Sequence, residues 1–408
     1  MLTYFKLLSP KKYINNESKF FYNFKNRMMS SKISEEKKIN YYNKKYEEKV
    51  IPFTRNTNNI ENQNEIYNSN IGKDYYSNIN NMCSFLKTNK PKFFEDFELI
   101  EFINNGSVGY VYRGNVKKSK KSIAMKFIMN DNKKDKKDKK DKKEFFQEFE
   151  INRKLHNPHI NEMYALTKIN NDSYFLILED GKYGDLNHLI KILLKRKSLT
   201  ETSLDYFGTQ ILKGLEHMHK CKILHLDIKP GNILIDSNLN AKLTDFSVSC
   251  SYASFNPGDE ARISFAGTSK FMSPEILSRK NIKIRDCEKI DVYSFGVCLY
   301  YLFFGEFPYN LNQVKSKDYP EIIRKIEEEK LEFPKDLEAS ELLKDFLSKT
   351  LEKDISKRLN IRQALYHPWI QGSSIIFDEK ENVCNQENFL IKLITDNIPK
   401  FNEYIKKK

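Results

Sequence analysis

The chain has no CxxC pair. Its six cysteines, Cys83, Cys221, Cys250, Cys287, Cys298 and Cys384, are scattered, which argues against a disulfide framework or a zinc site and fits reduced thiols. No stretch approaches 18 uncharged apolar residues, so the sequence offers no candidate transmembrane helix. The apolar patch in Met1 to Leu8 is interrupted by Lys6 and lacks a small-residue cleavage site, so a cleaved leader is not expected. The first 96 residues lack a sustained apolar period. Asn, Lys, Tyr and Ser dominate them, as in Asn56 to Asn59, and such composition buries too little area to offset chain entropy.

Positive charge is abundant, with a formal net charge of +14. It is spread over tails, loops and an insert, with no aromatic-interleaved basic stripe, and this reads as solvated surface rather than a nucleic-acid or membrane site. From Phe97 the texture changes. Phe97 to Ile103, Tyr110 to Tyr112 and Ser122 to Ile128 read as strands, as does the apolar run Tyr174 to Glu179. Between them, residues 130–143 are a Lys-Lys-Asp repeat with eight lysines and four aspartates, expected to be a dispensable, solvent-exposed loop.

Glu144 to Leu155 has the period of an amphipathic helix ended by Asn157-Pro158. Leu204 to His219 and Val292 to Phe304 are longer helical patterns, the second too apolar all round for a surface helix. Strands first and helices later predict an α+β protein with a small sheet lobe and a larger helical one.

The run Asn104-Asn105-Gly106-Ser107-Val108-Gly109-Tyr110-Val111 would by itself mark no more than a hairpin. It is followed by Ile123-Ala124-Met125-Lys126, which places a lysine on the next strand, where a fixed cation can hold phosphates. Glu148 is the helix carboxylate spaced to pair with Lys126, with Glu150 as its competitor. The decisive segment is His225-Leu226-Asp227-Ile228-Lys229-Pro230-Gly231-Asn232, followed by Asp245-Phe246-Ser247.

These segments resemble the protein kinase superfamily: the catalytic loop H-R-D-x-K-x-x-N, the metal-binding D-F-G and, in Ser273-Pro274-Glu275, the A-P-E that closes the activation segment. The resemblance spans residues 97–370 and implies the two-lobed fold, a small antiparallel sheet with its αC helix above a mainly helical lobe. It implies transfer of the ATP γ-phosphate to protein hydroxyls, with Asp227 as catalytic base, Lys229 balancing phosphoryl charge, and Mg2+ held by Asn232 and Asp245. Asn104, Gly106, Ser107 and Gly109 would lie over the phosphates. Val111, Ala124 and Leu234 would sandwich the adenine, Leu178 would be the gatekeeper, Glu179 and Gly181 the hinge, and Asp185 would approach the ribose. Glu275 is expected to pair with Arg358, and Asp291 to anchor the catalytic loop.

Lys229 and Thr268 resemble serine/threonine rather than tyrosine kinases. Gly267-Thr268-Ser269-Lys270-Phe271-Met272-Ser273-Pro274-Glu275 and Leu331-Glu332-Phe333-Pro334 resemble the calcium/calmodulin-dependent kinase kinases more narrowly, whereas His-Leu-Asp is similar to the Wee/Myt kinases. The expected organisation is a largely disordered extension over 1–96, a kinase domain over 97–370 (97–181 and 182–370 as lobes) and a tail over 371–408. In that tail Phe389, Leu390, Leu393 and Ile394 have helical spacing, suited to packing on the lobe or to a regulatory partner such as calmodulin. The expected setting is cytoplasmic, with the nucleus as a second location.

Four positions depart from the family pattern. Asn104 replaces the first glycine of the loop. Leu226 replaces the arginine that receives an activation-loop phosphate, leaving Arg262 and Lys242 as substitute cations. Ser247 replaces a glycine, and Asn152 stands where an apolar residue is usual. A catalytically dead scaffold would predict loss of Lys126, Asp227, Asn232 or Asp245, and all four are present.

Overall fold

The computed structural model describes residues 50–52, 96–105, 110–128, 147–168, 174–190, 199–335 and 337–374. Val50–Pro52 (β1), Phe97–Asn105 (β2), Tyr110–Val116 (β3), Ser122–Ile128 (β4), Met163–Lys168 (β5) and Tyr174–Glu179 (β6) form one antiparallel sheet in the order β1-β5-β6-β4-β3-β2. Five of these strands are rich in aliphatic and aromatic residues, which suit a pleated, half-buried surface. Their register places Ala124 opposite Leu178 and Val111 opposite Lys126. One apolar cluster of this lobe joins Ala124, Met163, Leu166, Leu176 and Leu178, with Val111 and Phe149 against it.

The strand β1 falls within the extension expected over 1–96. It pairs with β5 through Val50↔Thr167 and Pro52↔Ala165. An added edge strand is held by main-chain hydrogen bonds, which composition does not reveal. The Lys-Lys-Asp insert, the Gly106–Gly109 turn, the tail helix and the rest of the extension lie outside the described residues.

Residues 147–152 (α1) are the described helix of the small lobe. The helical lobe contains Leu186–His188 (α2), Glu201–Lys220 (α3), Pro274–Leu277 (α4), Lys289–Phe304 (α5), Tyr319–Glu328 (α6), Glu341–Thr350 (α7), Ile361–Leu365 (α8) and Pro368–Ser374 (α9). Every residue of α5 except Tyr301 is buried, as its unbroken apolar sequence requires. Around it one continuous core draws in α3, α7, α8 and the short strands Ile223–Leu224 (β7), Ile233–Ile235 (β8) and Ala241–Leu243 (β9). The activation segment adds Cys250–Ser251 (β10), paired with β7, and Glu260–Ala261 (β11), paired with Ile282–Lys283 (β12). This is the α+β, two-lobed arrangement that the sequence implies.

Candidate active site

The floor of the site is built on a buried carboxylate. Asp291, in the first turn of α5 and fully buried, accepts the backbone N–H of His225 at 2.9 Å and of Leu226 at 2.9 Å. It also meets His219 Nε2 at 2.9 Å. Burial alone would raise its pKa, but the contacts with His219 and the His225 N–H outweigh that and hold it below the usual carboxylate value. The loop that follows is therefore fixed from below by an anion that stays charged.

On that loop, Asp227 is the convergence point. Its Oδ1 accepts the Thr268 backbone N–H at 2.8 Å. Its Oδ2 accepts from Lys229 Nζ at 2.6 Å and from Asn232 Nδ2 at 2.8 Å. Lys229 also reaches Thr268 Oγ1 at 2.7 Å, joining the loop to the end of the activation segment. The Asn232 amide nitrogen is doubly committed, donating to the Asp227 carbonyl at 2.9 Å as well. Its side-chain oxygen takes no part in these bonds.

Asp245 arrives from β9 in the left-handed region, with φ of 62°, and its neighbour Thr244 donates its N–H to the Asn232 carbonyl at 3.1 Å. From the sheet lobe, Lys126 Nζ lies 2.5 Å from Glu148 Oε2 and 3.7 Å from Asp245 Oδ1. Burial would lower the lysine pKa; Glu148 and Asp245 together overcome this and raise it. Asp245 is held low, because Lys126 and a Ser247 hydrogen bond outweigh its burial. Glu150, the competing carboxylate, is exposed and pairs with Arg153 at 2.7 Å.

The slot between the lobes has an apolar lining. Val111, Ala124 and Leu178 come together above it. Below, Leu234 lies so close to the hinge that a Cβ on Gly181 would be 3.0 Å from Leu234 Cβ. The charged hinge side chains are engaged away from this slot. Glu179 pairs with Lys242 at 3.0 Å, and Asp180 accepts from Arg113 at 3.0 Å and Ser122 at 2.7 Å. Asp185 caps α2 through the His188 N–H at 2.9 Å. Of the residues expected over the phosphates, Asn104 is the last but one residue of β2, while Gly106, Ser107 and Gly109 lie outside the described residues.

Lys242 cannot serve as a substitute phosphate ligand. It is buried between Glu179, Asp236 at 3.7 Å and the Pro158 carbonyl at 2.9 Å, and moving it would strand those carboxylates. Leu226 also turns inward, with φ of 67° and a buried side chain. Asn152 is buried and half satisfied: its Nδ2 lies 3.5 Å from the Asn161 carbonyl, and its Oδ1 has no partner.

Contacts that sequence reasoning missed hold the activation segment. Gln147 Nε2 donates to the Ser249 carbonyl at 2.7 Å, and Ser249 Oγ donates to the His225 carbonyl at 3.0 Å. The Tyr252 hydroxyl lies 2.6 Å from Glu288 Oε1 and 3.0 Å from the His219 carbonyl. Gln147, beside Glu148, and the polar Glu288 preceding α5 were the available signals.

Residues 97–370 match the family model described as the protein kinase domain. Serine/threonine-protein kinase TIO of Arabidopsis thaliana is 32% identical over 70% of this chain, a match covering 20% of that protein. Serine/threonine-protein kinase PLK4 of Nematostella vectensis is 28% identical over 69% of the chain and 27% of its own length. Death-associated protein kinase 2 of Mus musculus is 31% identical over 74% of the chain and 80% of its own length. The chain thus spans about a fifth to a quarter of the first two relatives and most of the third.

Proposed function

We propose that this chain, which belongs to the protein kinase family and is a serine/threonine protein kinase, is catalytically competent and transfers the γ-phosphate of ATP to Ser or Thr hydroxyls of protein substrates. The observation that carries this reading is the bridge at Lys126, whose Nζ meets Glu148 at 2.5 Å and Asp245 at 3.7 Å. It joins the sheet lobe to the activation segment with the buried charges paired. A scaffold that had abandoned catalysis has no need to keep a desolvated lysine between two carboxylates, since unpaired buried charge is costly.

The donor set fits a hard divalent cation. Asn232 supplies an amide oxygen whose nitrogen is locked on Asp227, and Asp245 supplies a carboxylate held ionised. Two protein oxygens are what Mg2+ generally takes when phosphates and water complete its octahedron. Bound there with ATP, Mg2+ would neutralise phosphate charge. Lys126 is placed to hold the non-transferred phosphates, and the slot of Val111, Ala124, Leu178, Gly181 and Leu234 offers apolar walls for adenine. Asp227 would orient the acceptor hydroxyl and take its proton, while Lys229, beside Asp227 and Thr268, would balance charge on the moving phosphoryl group.

Full-length protein incubated with Mg-ATP labelled at the γ-phosphate and a Ser/Thr peptide array should label peptides. Binding of Mg-ATP without label on any protein or peptide would favour the scaffold reading.

Regulation should differ from that of kinases with arginine at position 226. A leucine there has neither charge nor donor for an activation-loop phosphate, and Gln147, Tyr252 and the β11 to β12 pairing already tie the segment down. Ser249 is fully buried, so the exposed candidates for modification are Ser251, Ser254 and Ser264. Phosphatase-treated enzyme and the triple Ser→Ala variant should keep turnover within about tenfold of untreated enzyme at saturating ATP. A larger loss in both would assign the missing role to another cation, with Arg262 the first to test.

A further inference from the structure

A collar of cations surrounds the surface beside the catalytic carboxylate. Thr268 is fixed to Asp227 and Lys229, so residues 262–272 form a wall beside the catalytic carboxylate. Gly267 lets that wall press onto the catalytic loop: its φ is 105°, and a Cβ there would be 2.3 Å from the Leu226 carbonyl oxygen. The wall carries Arg262 and Lys270 and no carboxylate.

Two further segments bring cations to it. Ser269 Oγ donates to the Ser316 carbonyl at 2.5 Å, tying Lys315-Ser316-Lys317 to the wall one residue from Thr268. Arg279 lies over the Phe265 ring at 4.8 Å, with Lys280 next to it in sequence. Arg262, Lys280, Lys315 and Lys317 are exposed, and among the described residues they have no ion-pair partner.

Of the nearby carboxylates, Glu275 is buried against Arg358, while Asp259 accepts the Asn256 N–H, Asp318 caps α6, and these two and Glu260 remain exposed. Unpaired exposed lysines also occur elsewhere among the described residues, as at Lys118, Lys154 and Lys213, so what sets this place apart is its position beside Asp227. On α6 and α7 the cations are paired along the helix, Arg324 with Glu321 and Glu328, Lys325 with Glu329, Lys344 with Glu341 and Lys349 with Asp345. Arg262, Lys270, Arg279, Lys280, Lys315 and Lys317 outnumber the exposed Asp259, Glu260 and Asp318 in these segments, and that positive excess favours an anionic partner.

We propose that the protein selects Ser or Thr acceptors flanked by anionic residues, with Arg262, Arg279, Lys280, Lys315 and Lys317 as the specificity-determining side chains. The shared chemistry is a carboxylate or phosphoryl anion within a few residues of the acceptor. The inference rests on the transfer activity proposed above.

The test uses the full chain, Mg-ATP and peptides with one acceptor in a neutral background, carrying Glu, phosphoserine, Ala or Lys at each flanking position in turn. At the best position Glu or phosphoserine should raise kcat/KM about tenfold over Ala, because several exposed pairs, each weak alone, act together. The advantage should shrink as salt rises from about 50 to about 500 mM. The variant Lys315→Glu with Lys317→Glu, and separately Lys280→Glu, should remove that advantage and pass it to the Lys peptide, leaving the Ala peptide within about twofold.

A preference for Glu would identify carboxylate-flanked sites; a stronger one for phosphoserine would identify sites already phosphorylated nearby. A flat profile, a preference of wild-type protein for Lys, or variants that slow every peptide by one factor would overturn the proposal while leaving the transfer reading intact. No label on any peptide would remove both.

Discussion

Asp227→Asn should lower turnover by at least about 10²-fold, and towards 10⁴-fold, the range that positioned acid-base groups contribute, while the protein remains folded. The change removes one negative charge and turns an acceptor oxygen into a donor. Oδ1 can still accept the Thr268 N–H, so the loop keeps its connection to the activation segment. The position of Oδ2 would instead hold an NH2 group facing Lys229 and Asn232, which are themselves donors. On the proposed mechanism the acceptor hydroxyl would lose its proton acceptor, and Lys229 would lose its carboxylate partner and keep Thr268 Oγ1. Mg-ATP binding should survive, because Lys126 and Asp245 are untouched. Lys126→Met should also abolish turnover, but through nucleotide binding, since it leaves Glu148 and Asp245 without their shared cation. Turnover with Asp227→Asn within tenfold of wild type would remove Asp227 from the chemistry.

Arg358→Ala should cost about 3–5 kcal/mol, the usual effect of stripping one partner from a buried ion pair. The Arg358 guanidinium is buried and meets Glu275 at 2.7 and 3.0 Å, the Lys289 carbonyl at 3.0 Å and the Glu352 carbonyl at 2.8 Å. It also lies 4.8 Å from the Tyr293 ring. Alanine would leave the Glu275 carboxylate buried without compensation just after the activation segment. For a domain of this size the melting temperature should fall by roughly 10 °C. The double variant Glu275→Leu with Arg358→Met should be less destabilised than either single one, because the stranded charge is gone. Calorimetry on the wild type, Glu275→Leu, Arg358→Met and the double variant checks this, and a double variant as unstable as the sum of the singles would show that the charge pair is not what holds the segment.

Much of this arrangement was legible because phosphoryl transfer requires particular groups in a fixed chain order. Of the residues the resemblance picked out, Lys229 and Asn232 meet at Asp227, Asp245 lies near Lys126, and Glu148 rather than Glu150 faces Lys126. The strands Ser122–Ile128 and Tyr174–Glu179 coincide with their apolar runs. Two helices begin earlier than their apolar pattern. Glu201–Lys220 starts at the Thr200 cap, which accepts the Ser203 N–H. Lys289–Phe304 opens with buried Lys289 and Asp291, whose partners are carbonyls and histidine from distant segments.

What was not legible depends on such long-range pairing. The strand Val50–Pro52 uses main-chain groups that any sequence could offer. Lys242 looked like an available cation until its burial with Glu179 and Asp236 assigned it to the interior. Nor does the sequence show that Ser249 is enclosed, its carbonyl held by Gln147. In each case the residue type was visible, and its neighbour, dozens of positions away, was not.

The account's central claim is that the convergence on Asp227 performs phosphoryl transfer, and one comparison tests it most directly. Purified full-length protein and its Asp227→Asn variant are each given Mg-ATP labelled at the γ-phosphate and the same Ser/Thr peptide array, with nucleotide binding measured in parallel. The account predicts that both proteins bind Mg-ATP and that the wild type alone labels peptides. Equal labelling by the two, or nucleotide binding by both with label from neither, would contradict it.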